Sequence, residues 1–195
     1  FSSRRRHTRC SRDCSSDVCS SDLAQAEVIE VNLAWEEDIA VLTINNVARK
    51  NSLSDEVNND LLRYLAELGA NARCRAILLT GAGGMFCAGG DLKGTAKRAA
   101  SGSSFVERRM RFLSLYHPMV RMMVAGPKPI VSAVEGFAYG GGLGLACATD
   151  YTVAADNARF CAAQILRGLC PDVGMYYVLT ARCGPGRARE LLLSG

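Results

Sequence analysis

The chain has 195 residues, enough for one domain with a sizeable core, and its 49% hydrophobic and 22% charged residues are an ordinary globular balance. The net charge is only +4, and five arginines against three aspartates in the first 22 residues supply half of it. The rest of the chain has no clustered basic character, so a nucleic-acid partner is not expected, and no apolar run is long enough to cross a bilayer.

Residues 1–23 show no hydrophobic periodicity and few core-forming side chains, so disorder is expected there. The segment lacks the continuous apolar stretch of a secretory signal, and its aspartates argue against a mitochondrial presequence. It repeats itself, CSSDV at 14–18 and CSSDL at 19–23, and it resembles the translation of sequencing-adapter DNA. It is set apart as a non-native segment, leaving 24–195 as the folding domain. His7, Cys10, Cys14 and Cys19 match no usual zinc spacing, and no metal site is expected. The other six cysteines (Cys74, Cys87, Cys147, Cys161, Cys170, Cys183) are scattered among apolar or small neighbours. They read as buried free thiols in a reducing compartment, hence a cytoplasmic protein.

In chain order, Val28–Val31 and Ile39–Ile44 read as strands around a turn at Trp35–Asp38. Ser54 is a good N-cap, and Val57, Leu61, Leu62, Leu65 and Leu68 then form a helical stripe ended by Gly69. Ile77–Thr80 is a buried strand, and Gly81–Gly94 reads as a glycine-dense loop. Phe105, Phe112, Tyr116, Met119, Val120 and Met123 mark a long amphipathic helix stopped by Gly126 and Pro127. Ile130–Val134 is another buried strand, Gly140–Gly142 opens a helix, and Tyr151–Ala154 is a strand. Helices follow at Met175–Ala181 and Gly186–Leu193 after a loop at Gly168–Gly174. Such alternation predicts a layered α/β domain with crossovers.

Two glycine clusters each follow a buried strand: GAGGMFCAGGDLKG (81–94) and EGFAYGGGLG (135–144). Glycine serves tight turns, but it also lets backbone approach a ligand, and a helix starting at Gly141 presents unpaired N–H groups. FCAGGDLK and YGGGLG, with KPIVSAVEGFAYGGG at 128–142, resemble the motifs of the crotonase (enoyl-CoA hydratase/isomerase) superfamily. The resemblance runs from about Val28 to Gly195. It implies an α/β fold with a repeated ββα spiral core, here without the C-terminal helical segment that closes the site and assembles trimers or hexamers. It also implies an acyl-CoA thioester substrate, with coenzyme A as part of that substrate and no separate cofactor. By the same resemblance, Gly90 and Gly141 donate the two backbone N–H groups of the oxyanion hole. Ala88, Asp91, Leu92, Lys93 and Lys50 are the expected substrate-binding positions, with Arg49 beside Lys50.

Hydratases of this superfamily use two glutamates. The matching positions here are Gly144 and Gln164, neither of which can shuttle a proton as a carboxylate does. Hydration is therefore disfavoured. Asp172 in GLCPDVG is either a helix cap or the lone base of a double-bond isomerase, and the second reading is preferred. Hydroxyacyl-CoA hydrolases of the superfamily, which supply the acyl-CoA hydrolase alternative, carry a Glu at the Gln164 position. Aryl-CoA dehalogenases pair a histidine near His117 with a carboxylate at the Asp172 position. A non-catalytic acyl-CoA-binding or assembly subunit is the remaining alternative. Phe86, Phe105, Phe137 and Tyr139 are candidates for a pocket wall, although aromatics at such spacing usually fill a core.

Overall fold

A computed structural model describes residues 30–195 of the chain. The segment 1–23 and the start of the first expected strand lie outside the described residues. Strand β1 (Val31–Glu36) turns at Glu37 and Asp38 into β2 (Ile39–Ile44), its antiparallel neighbour. Burial alternates along β2, with Ala40, Leu42 and Ile44 buried, which pins its register against the core. Helix α1 (Asp55–Ala70) crosses over to β3 (Ala76–Gly81). Ser54 caps it by accepting from the Val57 N–H at 3.1 Å, and Val57, Leu61, Leu65 and Leu68 are buried, as the stripe required. Asp60 on this helix is buried, accepts the backbone N–H groups of Glu30 and Val31, and pairs with Arg63 at 2.9 Å. It thus ties α1 to the first strand.

After β3 the chain forms α2 (Leu92–Ala100) and then one continuous rod: α3 (Phe105–Arg111), a π turn at Phe112–Tyr116 and α4 (His117–Ala125). In the π turn the His117 N–H bonds to the Phe112 carbonyl, five residues back. Such insertions cluster at functional sites. Strand β4 (Ile130–Val134), the short β5 (Phe137–Tyr139) and helix α5 (Gly141–Ala148) follow. Then come β6 (Tyr151–Ala154), the short β7 (Arg159–Cys161) and α6 (Met175–Ser194), which kinks at Gly184 just before Pro185. The main sheet has the order β1-β2-β3-β4-β6, parallel beyond the first pair, and β5 pairs with β7 in a small second parallel sheet. Parallel neighbours need crossovers, and α1, the α2–α4 stretch and α5 supply them.

Several sequence expectations change. The first strand continues through Trp35 to Glu36 rather than stopping at Val31. Gly69 does not end α1, which runs on to Ala70. The region read as a loop through Gly94 is already helical from Leu92, because Asp91 caps it by accepting from the Gly94 N–H at 3.0 Å. Phe105, expected on the apolar stripe of the rod, is 71% exposed, and the buried face is carried by Leu115, Tyr116, Met119 and Met123. Of the six cysteines, Cys74 and Cys87 are buried, but Cys170 and Cys183 are exposed, so burial does not account for them all. Among the described residues no helix is long and apolar enough to cross a membrane, and no group of three potential metal ligands occurs.

Candidate active site

The two glycine clusters meet through backbone. Cys87 and Ala138 form a parallel bridge, in which the Cys87 N–H donates to the Phe137 carbonyl and the Tyr139 N–H donates to the Cys87 carbonyl, both at 2.9 Å. Gly90 and Gly141 each lie three residues beyond this bridge, on either side of it. Gly89 packs against the facing segment so tightly that an added Cβ would come 2.5 Å from the Tyr139 oxygen and 3.2 Å from the Gly141 nitrogen. Its φ of 94° also lies in the region that favours glycine. A Cβ on Gly141 would sit 3.8 Å from the Gly90 nitrogen, so the two N–H groups are close neighbours. Neither N–H has an acceptor among the described residues. Gly141 is the first residue of α5, so its N–H has no partner within the helix.

These donors open onto a cavity of about 760 Å³. Ala88, Gly90, Asp91, Leu92, Gly141, Gln164 and Asp172 all line it, as do Tyr116, His117 and Tyr139. Lys50 and Lys93 are exposed and do not line it; Lys50 reaches the first motif through its carbonyl, which accepts from the Ala88 N–H at 3.1 Å. Phe86 is fully buried in the core, and Phe105 and Phe137 lie outside the lining.

Two carboxylates line the cavity, and their environments differ. Asp91 spends an oxygen on the α2 N-terminus. The Asp172 side chain caps no helix; Gly174 is the N-cap of α6. Instead Asp172 Oδ1 accepts from Gln164 Nε2 at 2.8 Å. Burial pushes the Asp172 pKa up, while the Gln164 amide and the backbone N–H of Asp172 itself partly offset that rise. Val173, next in sequence, has φ 50°, an outlier for a β-branched residue that costs of order 1–3 kcal/mol. It is 4% exposed and packs against Gly141 and Gly144, so the surrounding packing holds the turn that presents Asp172.

Sequence reasoning noted Gln164 only for the acid it is not. Its contact with Asp172 is bridged by a loop that the sequence does not orient. Asn51 was also missed. Fully buried, with φ 52°, it accepts from the Asn46 N–H and donates to the Ala82 and Met85 carbonyls, bracing the loop ahead of the first motif.

Residues 34–195 match the enoyl-CoA hydratase/isomerase family. The chain belongs to that family. It is 38% identical over 165 residues to 1,2-epoxyphenylacetyl-CoA isomerase of Escherichia coli (strain K12), covering 82% of this chain and 60% of that protein. The crystal structure of an enoyl-CoA hydratase from Polaromonas sp. JS666 superposes with a TM-score of 0.78 at 31% identity, covering 85% of this chain and 63% of the other. An enoyl-CoA hydratase from Bacillus anthracis gives 0.76 at 30% identity, covering 85% and 63%. The fold is therefore crotonase-like, and the chain spans about 60% of the length of these relatives.

Proposed function

We propose that this chain carries the active site of an acyl-CoA double-bond isomerase in which Asp172 is the base. The observation that carries this reading is that two backbone N–H groups without an acceptor among the described residues share a cavity with Asp172, the lining carboxylate not spent on capping a helix. The thioester oxygen lies between the N–H groups of Gly90 and Gly141. Asp172 takes a proton from the acyl chain, and negative charge moves onto that oxygen. Each donor contributes about 3 kcal/mol to stabilising it. Asp172 then returns the proton to a different carbon, and the double bond shifts.

Hydration is disfavoured by space as well as by chemistry. A Cβ on Gly144 would come 3.0 Å from the Val173 oxygen, 3.1 Å from Val173 Cβ and 3.2 Å from Met175 Cγ. Gly144→Glu is therefore expected to destabilise the fold by about 1–3 kcal/mol through overpacking, and to add no hydratase activity. Denaturant melts and a hydration assay on crotonyl-CoA check both parts.

The Gln164 amide supports the same reading, because its N–H stabilises ionised Asp172. Activity should rise with pH as Asp172 ionises, with a midpoint above the ordinary carboxylate range, since burial is the dominant influence. Gln164→Met removes a bond that favours the anion, so this limb should move to higher pH. A limb that stays put or moves down contradicts the assignment.

The direct test is a panel of 3-enoyl-CoA esters followed in the ultraviolet, with products identified by mass spectrometry. Conjugated 2-enoyl-CoA is the expected product. One observation favours a second reading: His117 lines the same cavity as Asp172. That pairing suits an acyl-CoA hydrolase or an aryl-CoA dehalogenase, which free CoA or free halide among the products would reveal. By resemblance to the family, assembly into homotrimers or hexamers is also proposed.

A further inference from the structure

Tyr116 closes the π turn of the long rod, lines the cavity and is 8% exposed. Its ring is held by Phe112, at 5.2 Å between centroids, and by the Arg111 guanidinium, 5.9 Å from the ring centre. Its hydroxyl meets Asn58 Nδ2 at 3.3 Å. Asn58 is fully buried on α1, and the same Nδ2 donates to the Ser54 carbonyl at 2.7 Å and the Leu53 carbonyl at 3.2 Å. Those two carbonyls fix which way the amide faces, because turning it over would set Oδ1 against both, acceptor against acceptor. The phenol oxygen is therefore the acceptor in its pair with Asn58, and its own proton is left to give.

No described residue accepts that proton. A buried tyrosine hydroxyl ordinarily finds a partner, and the space beside Tyr116 is the cavity. Leu53 locates the hydroxyl within it. The Leu53 backbone bridges to Gly90, its N–H donates to the Gly89 carbonyl at 2.8 Å, and its Cδ1 lies 2.8 Å from where a Cβ on Gly141 would stand. The residue that shares Asn58 with Tyr116 thus touches both glycines proposed to hold the thioester oxygen. Accepting from Asn58 also polarises the phenol O–H and makes it a better donor.

We propose that the Tyr116 hydroxyl is a third donor to the thioester oxygen, engaged as that oxygen becomes an enolate. This deepens the acyl-CoA reading of the cavity and rests on it. A neutral carbonyl oxygen has two lone pairs, which the Gly90 and Gly141 N–H groups fill; an enolate oxygen is charged and takes a further donor. Such a donor favours the transition state over the ground state, so it speeds turnover without tightening the hold on substrate.

The test is ionisation of bound acetoacetyl-CoA, whose second carbonyl makes its enolate stable enough to be read in the near ultraviolet without turnover. Its outcome is therefore separate from the role of Asp172 as base. Tyr116→Phe keeps the ring and removes only the hydroxyl. The pH at which the bound ester ionises should rise by about one unit in this variant, a 10-fold loss of preference for the enolate. Calorimetric affinity for butyryl-CoA, which forms no stable enolate, should stay nearly unchanged. Asp172, His117 and Arg111 line the cavity in both proteins, so the difference between them reports on the hydroxyl. An ionisation midpoint that does not move overturns the proposal. A variant that fails to fold, or that loses affinity for both esters alike, also overturns it, because Tyr116 is then structural. If the unaltered chain binds neither ester, the acyl-CoA reading itself falls and the proposal with it, whereas binding with an unmoved midpoint strikes the proposal alone.

Discussion

Asp172→Asn should lower isomerase turnover by about a thousand-fold while leaving the affinity for a saturated acyl-CoA nearly unchanged. The amide keeps the shape of the carboxylate and can still meet Gln164 by turning its oxygen toward Nε2, but it cannot accept a proton at neutral pH. General-base contributions of this kind span roughly 100- to 10,000-fold. The Gly90 and Gly141 N–H groups proposed to hold the thioester oxygen are untouched, so acyl-CoA binding should persist. Stability supplies a second readout. Because burial raises the Asp172 pKa, the folded chain binds more protons than the unfolded one between the ordinary carboxylate pKa and the raised one. Folding stability from this group is greatest at low pH and declines as pH rises through that window. At neutral pH the buried charge is a cost, which Asn removes. The melting temperature at pH 7 should therefore hold or rise. A variant with near-native turnover would refute the mechanism, and one that melts much lower would show that Asp172 is structural.

Gly89→Ala should be more disruptive than any side-chain truncation in the cavity. The methyl group would lie 2.5 Å from the Tyr139 oxygen, a backbone atom that cannot rotate away, on a residue held at φ 94°. Relief requires the two glycine segments to move apart, which separates the donors they carry. We expect a loss of about 2–4 kcal/mol in stability and at least a hundred-fold loss in kcat/KM, comparable with removing one oxyanion donor. Gly90→Ala is the matched comparison for stability, since its added Cβ meets no atom within 4 Å. Thermal melts should distinguish the two sharply. Equal melting temperatures would mean that the segments are not rigidly coupled.

Elements governed by local signals were legible in the sequence. Helix α1 announced itself through Ser54 and a regular apolar stripe, and the sequence separated two helices, Met175–Ala181 and Gly186–Leu193, where α6 is kinked at Gly184. Helix α2 was hidden because it buries no residue and so leaves no stripe to read, and because its start overlaps the glycine run. Strands β5 and β7 have three residues each, too few for a period-two pattern. In the site, the two glycine segments that meet across the Cys87–Ala138 bridge were legible as motifs, since each carries a dense glycine run after a buried strand. The Gln164–Asp172 contact was not, because seven residues separate the two, a short 3-10 turn and a loop, and their meeting depends on how that stretch folds. The strained φ of Val173 was equally invisible, since nothing in the sequence marks a β-branched residue beside Gly174 for that conformation.

The bridge between Cys87 and Ala138 has an evolutionary consequence. The atoms that would grip the thioester belong to the main chain, so most side-chain replacements leave them in place. Inheritance of that grip then asks only for small residues at a few crowded positions. The atoms that would choose among reactions lie elsewhere, on the stretch from Gln164 to Met175. A lineage could therefore change its chemistry by drifting in a dozen residues while keeping its hold on the substrate.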